Sequence, residues 1–119
     1  KEVLCDVYGR IGKDYYGDAI EHDYHISCEW SRIPHFYRAF YVYKYATGIT
    51  AAINIAHRIL SEGEGAVKDY FKFLSGGSST DPVSLLKLAG VDLESEQPFR
   101  FAMNEFAETL DEFEKMMKI

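Results

Sequence analysis

No apolar run in this sequence approaches the roughly 20 residues that a membrane-spanning helix needs, so no span is expected. Cysteine is scarce. Cys5 and Cys28 stand alone, too few for a disulfide framework, and two reduced, partly buried thiols in a cytoplasmic protein are expected. Positive charge is also short: 13 Lys and Arg against 19 Asp and Glu, a net charge of −6. That balance argues against nucleic acid and anionic membranes as partners. No segment keeps the period-two alternation of a half-buried strand, which makes the fold class all-α. Residues 1–20 carry no signal-peptide pattern, and the chain opens mid-pattern without a Met, as an excised piece would.

Catalytic signatures are missing too. There is no His-Glu-x-x-His, the spacing that sets two imidazoles on one helical turn for zinc with Glu as base. There is no Gly-x-Ser-x-Gly, and no credible Cys–His pair to replace it. His22, His25 and Cys28 form a His-x-x-His-x-x-Cys run that invites a metal reading. A structural zinc site wants four ligands, however, and no fourth stands at a familiar spacing. A solvated loop or a substrate-facing edge is the expectation there.

What the chain does have is aromatic side chains, 15% of 119 residues. They crowd into Trp30–Gly48, where Trp30, Phe36, Tyr37, Phe40, Tyr41, Tyr43 and Tyr45 stand beside His35. Pro34 suits a first helical position. At about 100° per residue, Tyr37, Tyr41, Tyr45 and Gly48 form one stripe, with Phe36, Phe40, Tyr43 and Thr47 beside it. The spacing predicts a continuous helix over 34–48 that is buried or lines a cleft. Its phenol hydroxyls must find partners or face water. Either they are tied off inside a core, or they grip a polar chain such as a peptide.

Around this stretch the pattern predicts further helices. Val3, Leu4, Val7, Tyr8 and Ile11 mark one over residues 1–16, weakened by Gly9 and Gly12 and ended near Gly17. Residues 17–29 read as a loop. After Gly48, which would bend the helix or admit a close neighbour, Ile49, Ala52, Ile53, Ala56 and Leu60 continue an apolar face, with His57 at its boundary. Val67, Tyr70, Phe71 and Leu74 mark the next helix, and 76–80 a loop. Asp81 and Pro82 cap a short helix with Leu85, Leu86 and Leu88 inward and Gly90 at its end. Phe99, Met103, Phe106, Leu110, Phe113 and Met117 form a seam expected to pack on its own domain. The length suits a single helical fragment over 1–119 with no internal boundary.

Ile33-Pro-His-Phe-Tyr37 and Phe40-Tyr-Val-Tyr-Lys-Tyr-Ala-Thr-Gly48 resemble the C-terminal part of oligoendopeptidase F. So do Ala51-Ala-Ile-Asn54, Arg58-Ile-Leu60, Gly76-Gly-Ser78 and Leu85 to Asp92, in order. These enzymes are zinc metallopeptidases related to thimet oligopeptidase. The resemblance implies the helical C-terminal portion of a larger α-helical metallopeptidase that cuts internal bonds of short peptides. It puts zinc in the parent enzyme and none on this chain, which is expected to be inactive alone. It assigns a catalytic role to His35, makes Tyr41 and Tyr43 the candidate oxyanion donors, and gives Tyr37 to substrate contact. The expected partners are short peptides and the missing N-terminal part of the same polypeptide. Self-association of an excised piece through apolar surface left bare is a further expectation. The rival reading is a non-enzymatic helical module binding a peptide or protein through its aromatic helix.

Overall fold

In the computed structural model, residues 1–118 are described, and among them no strand occurs. Where the sequence pattern shows no internal boundary, residue contacts gather into two compact units, Lys1–Lys44 and Tyr45–Ile119. Each is described by itself.

The first unit opens with α1, Glu2–Tyr16, which ends where Gly17 turns left-handed (φ 56°) and donates its N–H to the Lys13 carbonyl. The face that packs differs from the apolar stripe read from sequence. Cys5 is buried and Tyr8, Gly9 and Gly12 are half-buried, while Val3, Leu4, Val7 and Ile11 are exposed. The reason lies at Gly9. A Cβ on Gly9 would sit 2.7 Å from Ser27 Oγ, and one on Gly12 would sit 3.9 Å from the His22 ring. Bare backbone at Gly9 therefore lets Ser27 approach α1 closely, while the Gly12 distance is an ordinary contact that a side chain would also allow. That segment is less irregular than expected, since Tyr24–Ser27 form a one-turn helix, α2. Asp23 caps it by accepting from the Ile26 N–H at 2.8 Å.

The helix expected over 34–48 is not continuous. Glu29–Arg32 and Pro34–Tyr37 are 3₁₀ turns, and the α-helix starts only at Lys44. Two backbone features break it. Arg38 is extended (φ −119°, ψ 116°), and Phe40 is left-handed (φ 57°). Successive i→i+3 bonds carry the chain through, from Arg38 N–H to His35 O, Tyr41 N–H to Arg38 O and Lys44 N–H to Tyr41 O. Aromatic side chains lose rotamer freedom against the preceding helical turn, so a run of them is a poor helix former. The Tyr37–Tyr41–Tyr45 stripe therefore does not exist as one helical face.

The second unit holds α3 (Lys44–Glu62), α4 (Glu64–Ser75), α5 (Pro82–Leu88) and α6 (Gln97–Met117). Its core joins Ala51, Ile55, Ala89 and Val91, with Ile59, Tyr70, Phe73, Leu86 and Leu93 packed against them. The inward face of α3 is thus Ala51–Ile55–Ile59. Ile49, Ala52, Ala56 and Leu60, on the face expected from sequence, are exposed, about a third of a turn from the face that packs. Gly48 lies inside the uninterrupted α3 and meets no neighbour within 4 Å of where a Cβ would stand. Phe71, Leu74 and Leu88 likewise face outward.

Polar contacts close this unit. Arg58 Nη1 donates to the Ala89 carbonyl at 2.6 Å, and its Nε and Nη2 grip both Glu62 oxygens at 3.0 and 2.8 Å. Asn54 Nδ2 donates to Thr50 O and Pro98 O, both at 2.9 Å, tying α3 to the start of α6. His57 meets Phe101 edge-to-face at 4.6 Å. Asp81 caps α5 as expected, accepting from the Ser84 N–H. The α6 seam does not pack within its unit: Phe99, Met103, Phe106, Leu110, Phe113 and Met117 are all exposed, and Pro98 and Ala102 are buried instead. No helix of the described residues is long and apolar enough to cross a membrane.

Candidate functional site

The turns of residues 34–43 gather polar groups that a straight helix would have spread along its length. A cleft of about 200 Å³ is lined by Pro34, His35, Arg38 and Tyr41. The rings of His35 and Tyr41 stand 5.2 Å apart at a 33° tilt. The Arg38 guanidinium carbon lies 5.6 Å from the centre of the Tyr41 ring, and Lys44 Nζ 5.0 Å from it. Contacts of this kind orient the ring and contribute on the order of 0.5–1 kcal/mol each at exposed sites. They also surround the phenol with positive potential. An imidazole N–H, a phenol O–H and a guanidinium within one small cleft suit a ligand oxygen that carries or acquires negative charge.

The cleft is held from behind. The Tyr8 ring stands edge-on to Phe36 at 6.4 Å and 86°, and its hydroxyl donates to Glu29 Oε2 at 3.5 Å. Burial first, then the Glu29 carboxylate, pushes the Tyr8 phenol above its ordinary value, so it stays a donor. Glu29 also pairs with Arg32. Tyr37 Oη donates to the Ser31 carbonyl at 2.7 Å, joining one 3₁₀ turn to the next.

Of the four residues singled out from sequence, the fold brings His35 and Tyr41 together. Tyr43 is 56% exposed and does not line this cleft. The Tyr37 hydroxyl proton is committed to Ser31, which leaves its oxygen to accept and its exposed ring to pack. Arg38 was missed. The signal available was a single cation three residues after His35 in an otherwise aromatic stretch, and only the 3₁₀ geometry gives that spacing meaning. The His22, His25 and Cys28 run does not converge. His22 Nε2 pairs with Gly17 O at 3.1 Å, the His25 ring meets Tyr24 at 6.3 Å, and Cys28 Sγ lies 3.4 Å from Cys5 Sγ. Among the described residues, no three His, Cys, Asp or Glu side chains are placed to hold a metal ion.

Residues 1–105 match the model of peptidase family M3. The chain belongs to that family. It is similar to Oligopeptidase PepF of Bacillus subtilis (strain 168), 48% identical over 116 residues, which are 98% of this chain and 17% of that protein. It is also similar to the plasmid oligoendopeptidase F of Lactococcus lactis subsp. cremoris, 38% identical over 117 residues, covering 98% of this chain and 20% of that one. The crystal structure of oligoendopeptidase-F from Enterococcus faecium superimposes with a TM-score of 0.84 at 41% identity, over 98% of this chain and 22% of that chain. The M3 chain described here therefore spans about a fifth of the length of these relatives. The all-α fold and the expected resemblance to oligoendopeptidase F both hold.

Proposed function

We propose that this chain is the substrate-facing helical part of a zinc-dependent oligopeptidase that cuts internal bonds of short peptides. In this reading the His35 N–H and Tyr41 O–H donate to the oxygen of a peptide carbonyl as attack by water turns it into a tetrahedral oxyanion. Tyr43 is the rival donor. Arg38 attracts a substrate carboxylate or carbonyl to the cleft, and Tyr37 contacts substrate with its ring. The supporting observation is the convergence of His35, Arg38 and Tyr41 on one cleft. A donor aimed at developing charge contributes on the order of 3 kcal/mol to the barrier. The chain's own described residues do not fit a zinc centre, so water activation is assigned to none of them, and the chain alone is expected to be inactive.

The natural partners in this proposal are short peptides and the remainder of the same polypeptide. The exposed α6 seam and the exposed stripe of α1 are surfaces for that remainder, or for self-association of the isolated chain. A cytoplasmic location belongs to the same proposal. It is supported by the acidic charge and by two cysteines that are free. The alternative, a non-enzymatic helical module binding a peptide or protein through its aromatic helix, has less support, because the aromatic stretch is interrupted at Arg38 and Phe40.

The test is steady-state kinetics of Tyr41→Phe and Tyr43→Phe in the complete polypeptide that carries this chain. Tyr41→Phe removes one O–H and almost no volume. It is expected to lower kcat and kcat/KM together by about 10²–10³-fold with KM little changed. A loss confined to Tyr43→Phe moves the donor role to Tyr43. Normal kcat in both overturns the oxyanion reading.

A further inference from the structure

Two sulfurs in the first unit play no part in the cleft. Cys5 lies in the second turn of α1 and is buried. Cys28 follows the last residue of α2 and is half-buried. Their Sγ atoms are 3.4 Å apart, van der Waals contact with no atom between. A disulfide needs about 2.05 Å, so closing the bond asks for little more than 1 Å of movement.

The surroundings of the pair are unlike those of inert buried thiols. The Trp30 indole N–H donates to Cys5 Sγ at 3.4 Å. That donor foremost, then the Cys28 thiol and the charge of Lys1, holds the Cys5 thiol below its ordinary value. The neighbouring Cys28 thiol pushes the Tyr24 phenol up, and Lys1 Nζ stands 6.0 Å from the centre of the Tyr24 ring. A buried sulfur held by an indole N–H thus touches a more accessible one. That juxtaposition is the geometry that closure of a disulfide between two thiols requires.

We propose that Cys5 and Cys28 form a reversible dithiol–disulfide site that reacts with low-molecular-weight disulfides. Cys28, the accessible sulfur, attacks one sulfur of glutathione disulfide. One S–S bond breaks, one glutathione thiolate leaves, and Cys28 carries the other half as a mixed disulfide. The Cys5 thiolate then attacks the Cys28 sulfur and expels the second glutathione thiolate. The protein loses two S–H bonds and two electrons and gains one S–S bond. The external disulfide takes up both electrons and leaves as two thiols. The new bond ties α1 to the segment that runs through Trp30 into the 3₁₀ turns bearing His35.

The complete polypeptide carrying this chain is equilibrated with graded mixtures of reduced and oxidised glutathione, acid-quenched, alkylated and digested with trypsin. The expected product at high glutathione disulfide is Glu2–Arg10 joined to Asp14–Arg32, two hydrogens lighter than the sum of the free peptides and separated by dithiothreitol. Cys5→Ser should instead accumulate glutathione on Cys28, and Cys28→Ser should leave Cys5 unmodified. Circular dichroism of each variant establishes that it is folded, and the wild-type mapping decides the question without variants. Alkylation of both cysteines at every mixture, or glutathionylated Cys28 as the wild-type end product, overturns the proposal.

Discussion

Arg58 offers the sharpest test of how the second unit is held together. Its side chain is 24% exposed, and its fork joins three elements. Nη1 donates to Ala89 O at the end of α5, Nε and Nη2 hold Glu62 on α3, and Nη2 lies 3.5 Å from Asp69 on α4. The first contact dominates. Truncating Arg58→Ala strands the Ala89 carbonyl of a residue only 2% exposed, and loss of such a charge-assisted bond costs on the order of 1.5–3 kcal/mol. The ion pairs add little, because their carboxylates see solvent. The expected fall in Tm is on the order of 10 °C. Gly90 supplies an internal control. It is left-handed (φ 80°), and a Cβ there would lie 1.9 Å from Arg58 Nη1. Gly90→Ala therefore strains the backbone and also displaces the guanidinium, so the two substitutions share one contact. Together they should cost less than the sum of their separate effects. Urea melts of the four species give the cycle. Arg58→Ala within about 0.5 kcal/mol of wild type, the range of an ordinary surface change, would refute the reasoning.

Other outcomes follow from the same coordinates. Gly48→Ala, in open space within α3, should stabilise by about 0.5–1 kcal/mol in chemical melts. Gly76→Ala should destabilise, because its Cβ would fall 2.4 Å from Leu85 Cδ2 and 3.2 Å from the Phe73 carbonyl. Asp81→Ala removes the α5 cap and should lower Tm on the order of 5 °C. The Glu62 carboxyl, through Arg58, the Asp69 carboxyl, through Lys72, and the Asp81 carboxyl, through Ser84, are all held below their ordinary values. Their folded values lie below the unfolded ones, so the stability they contribute is complete above about pH 5. It drains away as pH falls through the folded values. Melts from pH 7 to pH 3 should show that loss, and Asp81→Asn should flatten part of it.

Helix existence was legible in this sequence, and helix faces were legible only in part. The helix boundaries at Gly17, Asp81 and Gly90 depend on local backbone chemistry, which residue types announce directly. The inward face of α1 depends on which neighbour comes close. Gly9, which costs helix propensity, admits Ser27, a tertiary gain that no periodicity displays. The break inside the aromatic stretch was hidden for a similar reason. Positions 37, 41 and 45 fit a helical stripe perfectly well, yet the extended Arg38 and the left-handed Phe40 turn the chain instead. His35 and Tyr41 were identifiable by residue type within a motif. Arg38 was not, because its place beside them exists only once the chain turns. The α6 seam is exposed because α3 meets α6 at Pro98 and Phe101 instead.

The central claim is that the His35–Tyr41 cleft recognises negative charge that develops on a peptide carbonyl. The most direct measurement compares two affinities in the complete polypeptide, wild type against Tyr41→Phe. One ligand is a peptide carrying a tetrahedral phosphinate at the scissile position, and the other is the matching uncleavable ground-state peptide. The account predicts that Tyr41→Phe weakens the phosphinate by about 10²–10³-fold and the ground-state peptide by less than about threefold. Equal weakening of both, or none of either, would contradict it.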